Sequence, residues 1–356
     1  GRAVQNASQM LQGMVPGLNI SQSSGSLDGT ASINIRGVAT IGNDSSGGAL
    51  ILIDGMEGDI NAINPQDIEN ISVLKDIASS SIYGSRAPFG VILITTKKGK
   101  AGKTTINYNS NLRWSSPIRK PEMMDSYTFA TFLNDANING NEAPFFSEER
   151  LQAFLDYQNG VTKDEITQNS GNPQIWADGY AAGQANNDWY DIVYKNSTFS
   201  QEHNLSASGG SENIQYYASG NYLDQDGLVK LNTDTFNRYT TTLKVDAKLS
   251  EWAKVSVKNR FIREDFERPS ALGDGLYTDL ARQGWPILPL YDPNGYLYSS
   301  PSPALGLRDA GQDKKQTDWL YQQGQLVIEP IKDFLITGDI NYRVKNEFRH
   351  WDNQIV

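Results

Sequence analysis

The stretch Arg238-Tyr239-Thr240-Thr241-Thr242-Leu243-Lys244-Val245-Asp246-Ala247-Lys248-Leu249 has the clearest periodicity in the chain. From Leu243 onward every second residue is apolar, and a Lys or Asp stands between each pair. Alternation with a period of two predicts a β-strand with one apolar and one strongly polar face. The same pattern predicts further strands at 104–114, 199–208, 213–224, 253–265, 318–330 and 334–345, with 318–330 the weakest.

The lengths of the connections help to choose between two β architectures, because strands of soluble sandwiches and of membrane barrels both alternate. Long or medium connections (115–198, 225–237, 266–317) alternate along the chain with short turns (209–212, 250–252, 331–333). Large loops at one end and tight turns at the other are typical of a transmembrane barrel. Because bacterial single-chain barrels have an even number of strands, we expect these strands to be a fragment of a barrel of about 22.

Composition argues against several other classes of protein. The chain has 41 acidic and 31 basic residues, and this excess of negative charge disfavours nucleic acid as a partner. Its longest apolar run, Ala49-Leu50-Ile51-Leu52-Ile53, is far shorter than the roughly 20 residues of a transmembrane helix. No Cys and only two His are present, so we expect no metal and no other cofactor.

Residues 1–102 follow a different pattern from the rest. A helical periodicity covers 4–11, and turns are predicted at Pro65 and over 78–83. Short apolar runs bounded by Gly, Pro and Asp predict strands at 18–20, 32–35, 50–53, 71–74 and 91–95. The chain is therefore expected to be mainly β, with a small α+β domain over 1–102 and antiparallel barrel strands over 103–356.

Three motifs in the first domain resemble a known signature. They are Ser72-Val73-Leu74-Lys75-Asp76, Ser81-Ile82-Tyr83-Gly84-Ser85-Arg86-Ala87 and Gly90-Val91-Ile92-Leu93-Ile94-Thr95-Thr96-Lys97-Lys98-Gly99. In this order they closely resemble the plug signature of SusC/RagA-type TonB-linked outer-membrane transporters. Asn187-Asp188-Trp189 and the segment from His203 to Gly210 extend the resemblance into the predicted barrel.

The resemblance implies a location and partners. It implies a plug domain inside a barrel in the outer membrane of a Gram-negative cell, embedded in the lipid bilayer. It further implies active import of oligosaccharides, or of peptides in some members, beneath a SusD-like lipoprotein lid. Energy would come from TonB through a TonB box that we expect to precede Gly1.

The same resemblance singles out plug residues with structural or gating roles. Glycines are expected to serve turns and close backbone approaches, and Arg36 and Arg86 to form ion pairs within the plug or with the barrel wall. Lys75 and Asp76 have an alternative role in a latch that moves when the plug is pulled. The full set is Arg36, Gly37, Asp54, Gly55, Lys75, Asp76, Tyr83, Gly84, Arg86 and Gly90.

Candidates for contact with cargo or lid lie in loops. The polar plug loop 38–48, with Asn43, Asp44 and Ser45, is expected to face the outer vestibule. The predicted outer loops 116–198 and 267–316 supply Trp176, Trp189, Tyr190, Trp285 and Tyr291. These aromatic residues either stack on sugar rings or form the loop core and lid contacts. Aromatic residues near strand ends are expected to form interfacial girdles, namely Trp114, Tyr239, Trp252, Phe266, Trp319 and Phe348.

Enzymatic motifs are not found in the sequence. His203 and His350 fall in or beside predicted strands without a nucleophile elbow or metal-ligand spacing, and no phosphate-binding Gly loop occurs. We therefore expect no catalytic activity. The alternatives are a surface binding or adhesion protein and a secreted β-sandwich lectin, followed by a secreted glycoside hydrolase.

Overall fold

The computed structural model describes most of the chain: residues 8, 11, 18–21, 25–29, 31–35, 48–75, 81–84, 89–172, 175–177, 179–273, 275–298 and 302–352. Of the expected helix over 4–11, Ser8 and Leu11 are described, and both are helical. Seven of the site residues expected from the sequence lie outside the described residues, namely Arg36, Gly37, Asn43, Asp44, Ser45, Asp76 and Arg86.

The seven long strands form one antiparallel sheet in which each strand pairs with its neighbours in the chain. We call this sheet the wall. Its strands are β7 Gly102–Ser115, β8 Thr198–Gly210, β9 Ile214–Asp226, β10 Thr235–Ser250, β11 Ala253–Pro269, β12 Gln312–Ile331 and β13 Phe334–Trp351. The strand predictions are confirmed, but several strands extend beyond the alternating pattern. β12 begins at Gln312 because its hydrogen-bond ladder with β11 continues through polar residues that carry no apolar alternation.

The wall buries its polar face and exposes its apolar face. Along β10, Arg238 and Lys244 are 2% and 4% exposed, whereas Leu243 is 50% exposed. In a soluble β-sandwich the apolar face would be the buried one. No second sheet covers the apolar face in the described part of the chain, so the sandwich alternative is not supported. None of the described helices is long and apolar enough to cross a membrane.

The described residues before Gly102, which we call the plug region, form two small sheets against the polar face of the wall. β1 Leu18–Ser21 pairs with β2 Ser32–Ile35. The second sheet has the order β4-β3-β6-β5, and β3 runs parallel to β6. Its strands are β3 Leu50–Ile53, β4 Met56–Glu57, β5 Ile68–Leu74 and β6 Val91–Thr96. A core rich in Ile packs the two sheets together, and 3-10 turns lie at Pro65–Asp67 and Ser81–Tyr83.

The connections of the wall differ at its two ends. The long connections 116–197, 227–234 and 270–311 share one end, and the turns 211–213, 251–252 and 332–333 share the other. Helices not predicted from the sequence occur in the long connections: α1 Ser126–Asn139, α2 Glu148–Gln158, α3 Trp189–Val193, α4 Leu276–Gln283 and α5 Pro303–Asp309. Buried side chains from 116–197 and 270–311 pack into one hydrophobic loop core.

Candidate functional site

Lys244 of the wall joins the ends of two plug strands. Its Nζ donates to an Asp54 carboxylate oxygen at 3.0 Å and to the Thr96 backbone carbonyl at 2.9 Å. Asp54 follows β3 and Thr96 ends β6, and these strands are parallel neighbours. The Asp54 carboxylate also accepts from the Thr96 backbone N–H at 3.0 Å and the Thr96 hydroxyl at 2.6 Å. One wall cation therefore binds both strand ends.

Local backbone geometry presents Asp54 to Lys244. Asp54 and Gly55 have φ values of 51° and 90°, which suit the tight turn between β3 and β4. Asp is one of the few residues that tolerate this left-handed conformation. Burial alone would raise the pKa of Asp54, but Lys244 and the Thr96 donors outweigh it and hold the pKa below the ordinary value of 3.8. The carboxylate is therefore charged at neutral pH.

Asp67 forms a second contact between the plug region and the wall. It ends the 3-10 turn that Pro65 begins and is 2% exposed. Its carboxylate accepts from the Tyr217 hydroxyl at 2.8 Å, the Ser219 hydroxyl at 2.9 Å and the Thr242 hydroxyl at 3.3 Å. Three hydroxyls from β9 and β10 thus satisfy a buried carboxylate, which would be costly to bury without partners. We call these two contacts, centred on Lys244 and Asp67, the latch. The name does not refer to Lys75 and Asp76, for which a latch role was considered from the sequence.

The polar face of the wall around the latch carries further positive charge. Lys258 lies directly opposite Lys244 in the ladder between β10 and β11. Arg260 is 8% exposed, with its guanidinium over the Tyr321 ring at 4.5 Å from the centroid. The cationic wall therefore faces the carboxylates of Asp54 and Asp67. This complementarity favours one docked position of the plug region.

The chain passes from the plug region into the wall through a close contact. A Cβ added to Gly99 would lie 2.3 Å from the backbone nitrogen of Tyr216, so only glycine fits there without a backbone shift. A Cβ added to Gly90, where φ is +90°, would lie 2.6 Å from Ile35 Cδ1. Both glycines therefore serve close approach of main chain to a neighbour.

The other described plug candidates lie apart from the latch. Gly84 has a φ of +85° after the turn Ser81–Tyr83, and Tyr83 packs against the small apolar cluster of Leu50, Leu52 and Val91. Lys75 directly follows β5. The structure therefore brings Asp54 of the expected set to the wall, and it adds Asp67 and Lys244, which were not singled out. In the sequence, only its place on the polar face of an alternating strand could have pointed to Lys244 as a residue that contacts the plug region.

A cavity of about 510 Å³ lies between the loop core and the plug region, and we call it the loop cavity. Its aromatic wall consists of Tyr190, Tyr194 and Tyr277, and the rings of Tyr190 and Tyr277 are 5.2 Å apart. The plug segment Gly25–Leu27 forms the opposite wall, and Arg119 and Arg268 also line the cavity. Flat aromatic faces with polar tips suit ligands that combine C–H and hydroxyl groups.

The loop aromatics expected to face cargo or lid have different positions. Trp189 is fully buried, and its indole N–H donates to the Trp285 carbonyl at 2.9 Å, so of the two expected roles it has the one in the loop core. It belongs to the loop core because the long connections pack around it. Tyr190 lines the loop cavity. Trp176 and Trp285 pack partly buried on the loop core, and Tyr291 is 46% exposed.

Two strand-end aromatic residues, Phe266 and Trp319, are not in the expected girdles. Trp319 packs on the plug-facing side of the wall with Ile262, Tyr321 and the plug residue Ala62. Phe266 was expected in an outer girdle, but it is 4% exposed and packs with Leu223, Phe236 and the plug residue Leu27. Its position in the ladder of β11 places it on the polar, plug-facing side of the wall. Trp114, Trp252 and Phe348 are more than half exposed, as girdle residues would be.

Comparison with known proteins identifies relatives of both parts of the chain. A family model described as TonB-dependent Receptor Plug Domain matches residues 1–91. TonB-dependent receptor SusC of Bacteroides thetaiotaomicron is 28% identical over 95% of this chain and 32% of its own length. TonB-dependent receptor P39 of Formosa agariphila is 33% identical over 95% of this chain and 30% of its own length. The chain spans about a third of the length of these two relatives.

Solved structures show the same fold. The RagAB peptide transporter superposes with a TM-score of 0.76 at 24% identity, covering 98% of this chain and 40% of that chain. The RagAB peptide importer in its closed-closed state gives 0.73 at 23% identity, with the same coverage. The plug-domain match, the receptors aligned along nearly the whole chain and the shared fold confirm the resemblance, and the chain belongs with the TonB-dependent receptors of the SusC/RagA type.

Proposed function

We propose that the chain forms the plug and part of the barrel wall of an outer-membrane transporter that imports oligomeric nutrients. In this proposal residues 1–102 are the plug domain, and residues 103–356 are barrel strands with long extracellular loops. The observation that carries the proposal is the orientation of the wall, which exposes its apolar face and buries its polar face. An apolar face suits lipid, and a polar face docked on the plug region suits an aqueous lumen.

The latch supports a plug that is held by polar contacts and released by force. Hydrogen bonds and ion pairs at such an interface can be exchanged for water when the plug is pulled, whereas an apolar interface would expose hydrophobic surface. Pulling would come from TonB through a segment outside the described residues. Opening of the latch would free the ends of β3 and β6 together, since Lys244 binds both.

The cargo in this proposal is an oligosaccharide, with a peptide as the alternative. The tyrosine wall of the loop cavity favours the sugar, because aromatic rings pack well against the C–H faces of sugar rings. A SusD-like lipoprotein lid would cover the long loops, where Tyr291 and Tyr296 are exposed. The plug loop 38–48, with Asn43, Asp44 and Ser45, would meet cargo from below. We propose no catalytic activity for the chain itself.

Uptake by cells tests the proposal. A strain lacking the receptor is complemented with the wild-type gene and supplied with fluorescent oligosaccharides or with fluorescent peptides of similar size. Receptor-dependent accumulation of oligosaccharide that is lost when TonB is deleted supports glycan import. Accumulation of peptides alone would show that the cargo is a peptide and not an oligosaccharide. Surface binding without accumulation, unchanged by TonB deletion, would instead support the binding or adhesion alternative and overturn import.

A further inference from the structure

A second cavity lies deeper, between the plug region and the wall. It has a volume of about 230 Å³ and is lined by both, and we call it the inner chamber. The plug segment Gly25–Gly29 separates it from the loop cavity, because Gly25, Ser26 and Leu27 line both. Leu27 packs on the apolar cluster of Phe266, and Asp28 forms an ion pair with Lys315. These contacts hold the segment in place between the two cavities.

The inner chamber is lined by polar groups that have no partner among the described residues. Arg238 is 2% exposed, and only its Nη1 is bonded, to the Asn61 carbonyl at 2.6 Å. Its Nε and Nη2, the Trp319 indole N–H and the Asn61 side-chain oxygen are buried without hydrogen bonds. Buried polar groups are almost always hydrogen-bonded, so this cluster beside a cavity leaves hydrogen bonds that a bound molecule can make.

The charges of the chamber indicate the chemistry of that molecule. Lys315 and Lys345 are already paired, with Asp28 and Glu347. The charged groups left over are Arg238, Glu264 and Asp59. Arg238 and Glu264 lie opposite each other in the ladder between β10 and β11, and Asp59 accepts hydrogen bonds from the backbone and side-chain N–H groups of Asn61. Because both signs of charge line the chamber, a singly charged ligand of either sign would lie beside a like charge. A neutral ligand avoids this cost.

Hydroxyl groups match this mixture of donors and acceptors. A hydroxyl can accept from Arg238 or Trp319 and donate to Glu264 or the Asn61 oxygen, whereas a carboxylate only accepts and an ammonium only donates. The chamber also has an apolar side, formed by Leu223, Phe236 and Phe266. Its volume far exceeds the roughly 30 Å³ that one water molecule occupies in the liquid. Room, apolar side and polar rim together fit one sugar ring.

We propose that the inner chamber is a second binding station, which holds one neutral sugar unit of the cargo after it passes the segment Gly25–Gly29. This inference rests on the proposed import of oligosaccharides and adds a site inside the wall. Arg238, Glu264 and Trp319 are its binding residues. The apolar cluster around Phe266 packs against the C–H face of the sugar.

Two matched cysteine variants test the site, since the natural chain has no Cys. Thr317 lines the inner chamber only, and Thr198 lines the loop cavity only. The purified receptor carrying Thr317→Cys or Thr198→Cys is labelled with a small methanethiosulfonate reagent, with and without methyl glycosides of glucose, galactose and mannose. At a sugar concentration about ten times the dissociation constant, labelling of Thr317→Cys should slow about tenfold.

Calorimetric titration with the same glycosides gives a measurement that does not depend on labelling. Glu264→Gln keeps the shape of the side chain but replaces the carboxylate by an amide, and Trp319→Phe removes the indole N–H together with one ring. Each should weaken binding about tenfold. Asp309→Asn is the matched control, because Asp309 pairs with Arg308 on a long loop and lines neither cavity. Its affinity should equal that of the wild type.

The outcomes separate this inference from the proposed function. Protection of Thr317→Cys together with weaker binding by Glu264→Gln supports the inner station. Protection of Thr198→Cys alone, with unchanged affinity in both chamber variants, overturns the station and leaves import through the loop cavity standing. A crystal structure with saturating glycoside that shows only ordered water in the chamber also overturns it. If neither cysteine is protected and cells accumulate no oligosaccharide, the proposal that the cargo is an oligosaccharide is contradicted as well.

Discussion

At the scale of single residues, Lys244 shows how one side chain can hold a plug in place. It is buried on the wall and bonded to two strand ends of the plug region. A lysine at this position has partners only when the plug region is docked. Lys244 therefore contributes to the free energy of plug docking and not to the stability of the wall itself.

Replacement of Lys244 by Met tests this role. The variant Lys244→Met keeps the length of the side chain but leaves the Asp54 carboxylate buried without its cation, which should weaken plug docking by roughly 3 kcal/mol. Lys248→Met is the control, since Lys248 pairs with the exposed Glu251 near a turn. The measurement is the urea concentration at which protease begins to cut the plug region. Equal sensitivity of the two variants would contradict the role of Lys244.

Asp54 gives the latch a defined response to pH. Its pKa in the folded protein lies below 3.8, so its stabilising effect is complete at neutral pH and is lost as the pH falls through this lowered value. We therefore expect acid to weaken docking through Asp54 only below pH 3.8, and Asp54→Asn to remove this step while weakening docking at pH 7. Protease sensitivity measured from pH 7 to pH 3 checks this. A step complete by pH 5 in the wild type but absent in Asp54→Asn would contradict it.

At the scale of one strand, β10 predicts which side chains face lipid. Val245 belongs to the apolar face and Asp246 to the polar face, where its carboxylate accepts from the Ser256 hydroxyl at 2.6 Å. Environment-sensitive fluorescent labels on cysteines at these two positions should report lipid at 245 and water at 246 in liposomes. Water at both positions would contradict the membrane orientation of this face.

At the scale of the whole molecule, the end of the wall that carries the long connections should face the outside of the cell. In an antiparallel wall alternate connections share one side, so all three long connections must be on the same side. Protease added to intact cells lacking the lid should cut within 116–197 or 270–311 and spare the turn 251–252. The reverse pattern would place the loop cavity on the periplasmic side.

The sequence by itself determined the strands of the wall, their two faces and the family. Period-two alternation is a local property of neighbouring residues, and the motifs around Gly84 and Gly90 are contiguous, so both can be read without a structure. The extra length of β12 could not be predicted, because its polar first residues carry no alternation. Three of the loop helices were missed because they have at most eight residues. The other two, of 14 and 11 residues, were missed because their apolar residues form no clear helical stripe.

Only the tertiary structure decided which polar residues form the latch and which aromatic residues line a cavity. Asp67 and Tyr217 are 150 residues apart in the chain, and no spacing rule connects them. Trp189 and Tyr190 are adjacent, yet one lies wholly in the loop core and the other also lines the loop cavity. Such differences depend on how separate loops pack together, and packing of distant segments leaves no periodic signal in the sequence.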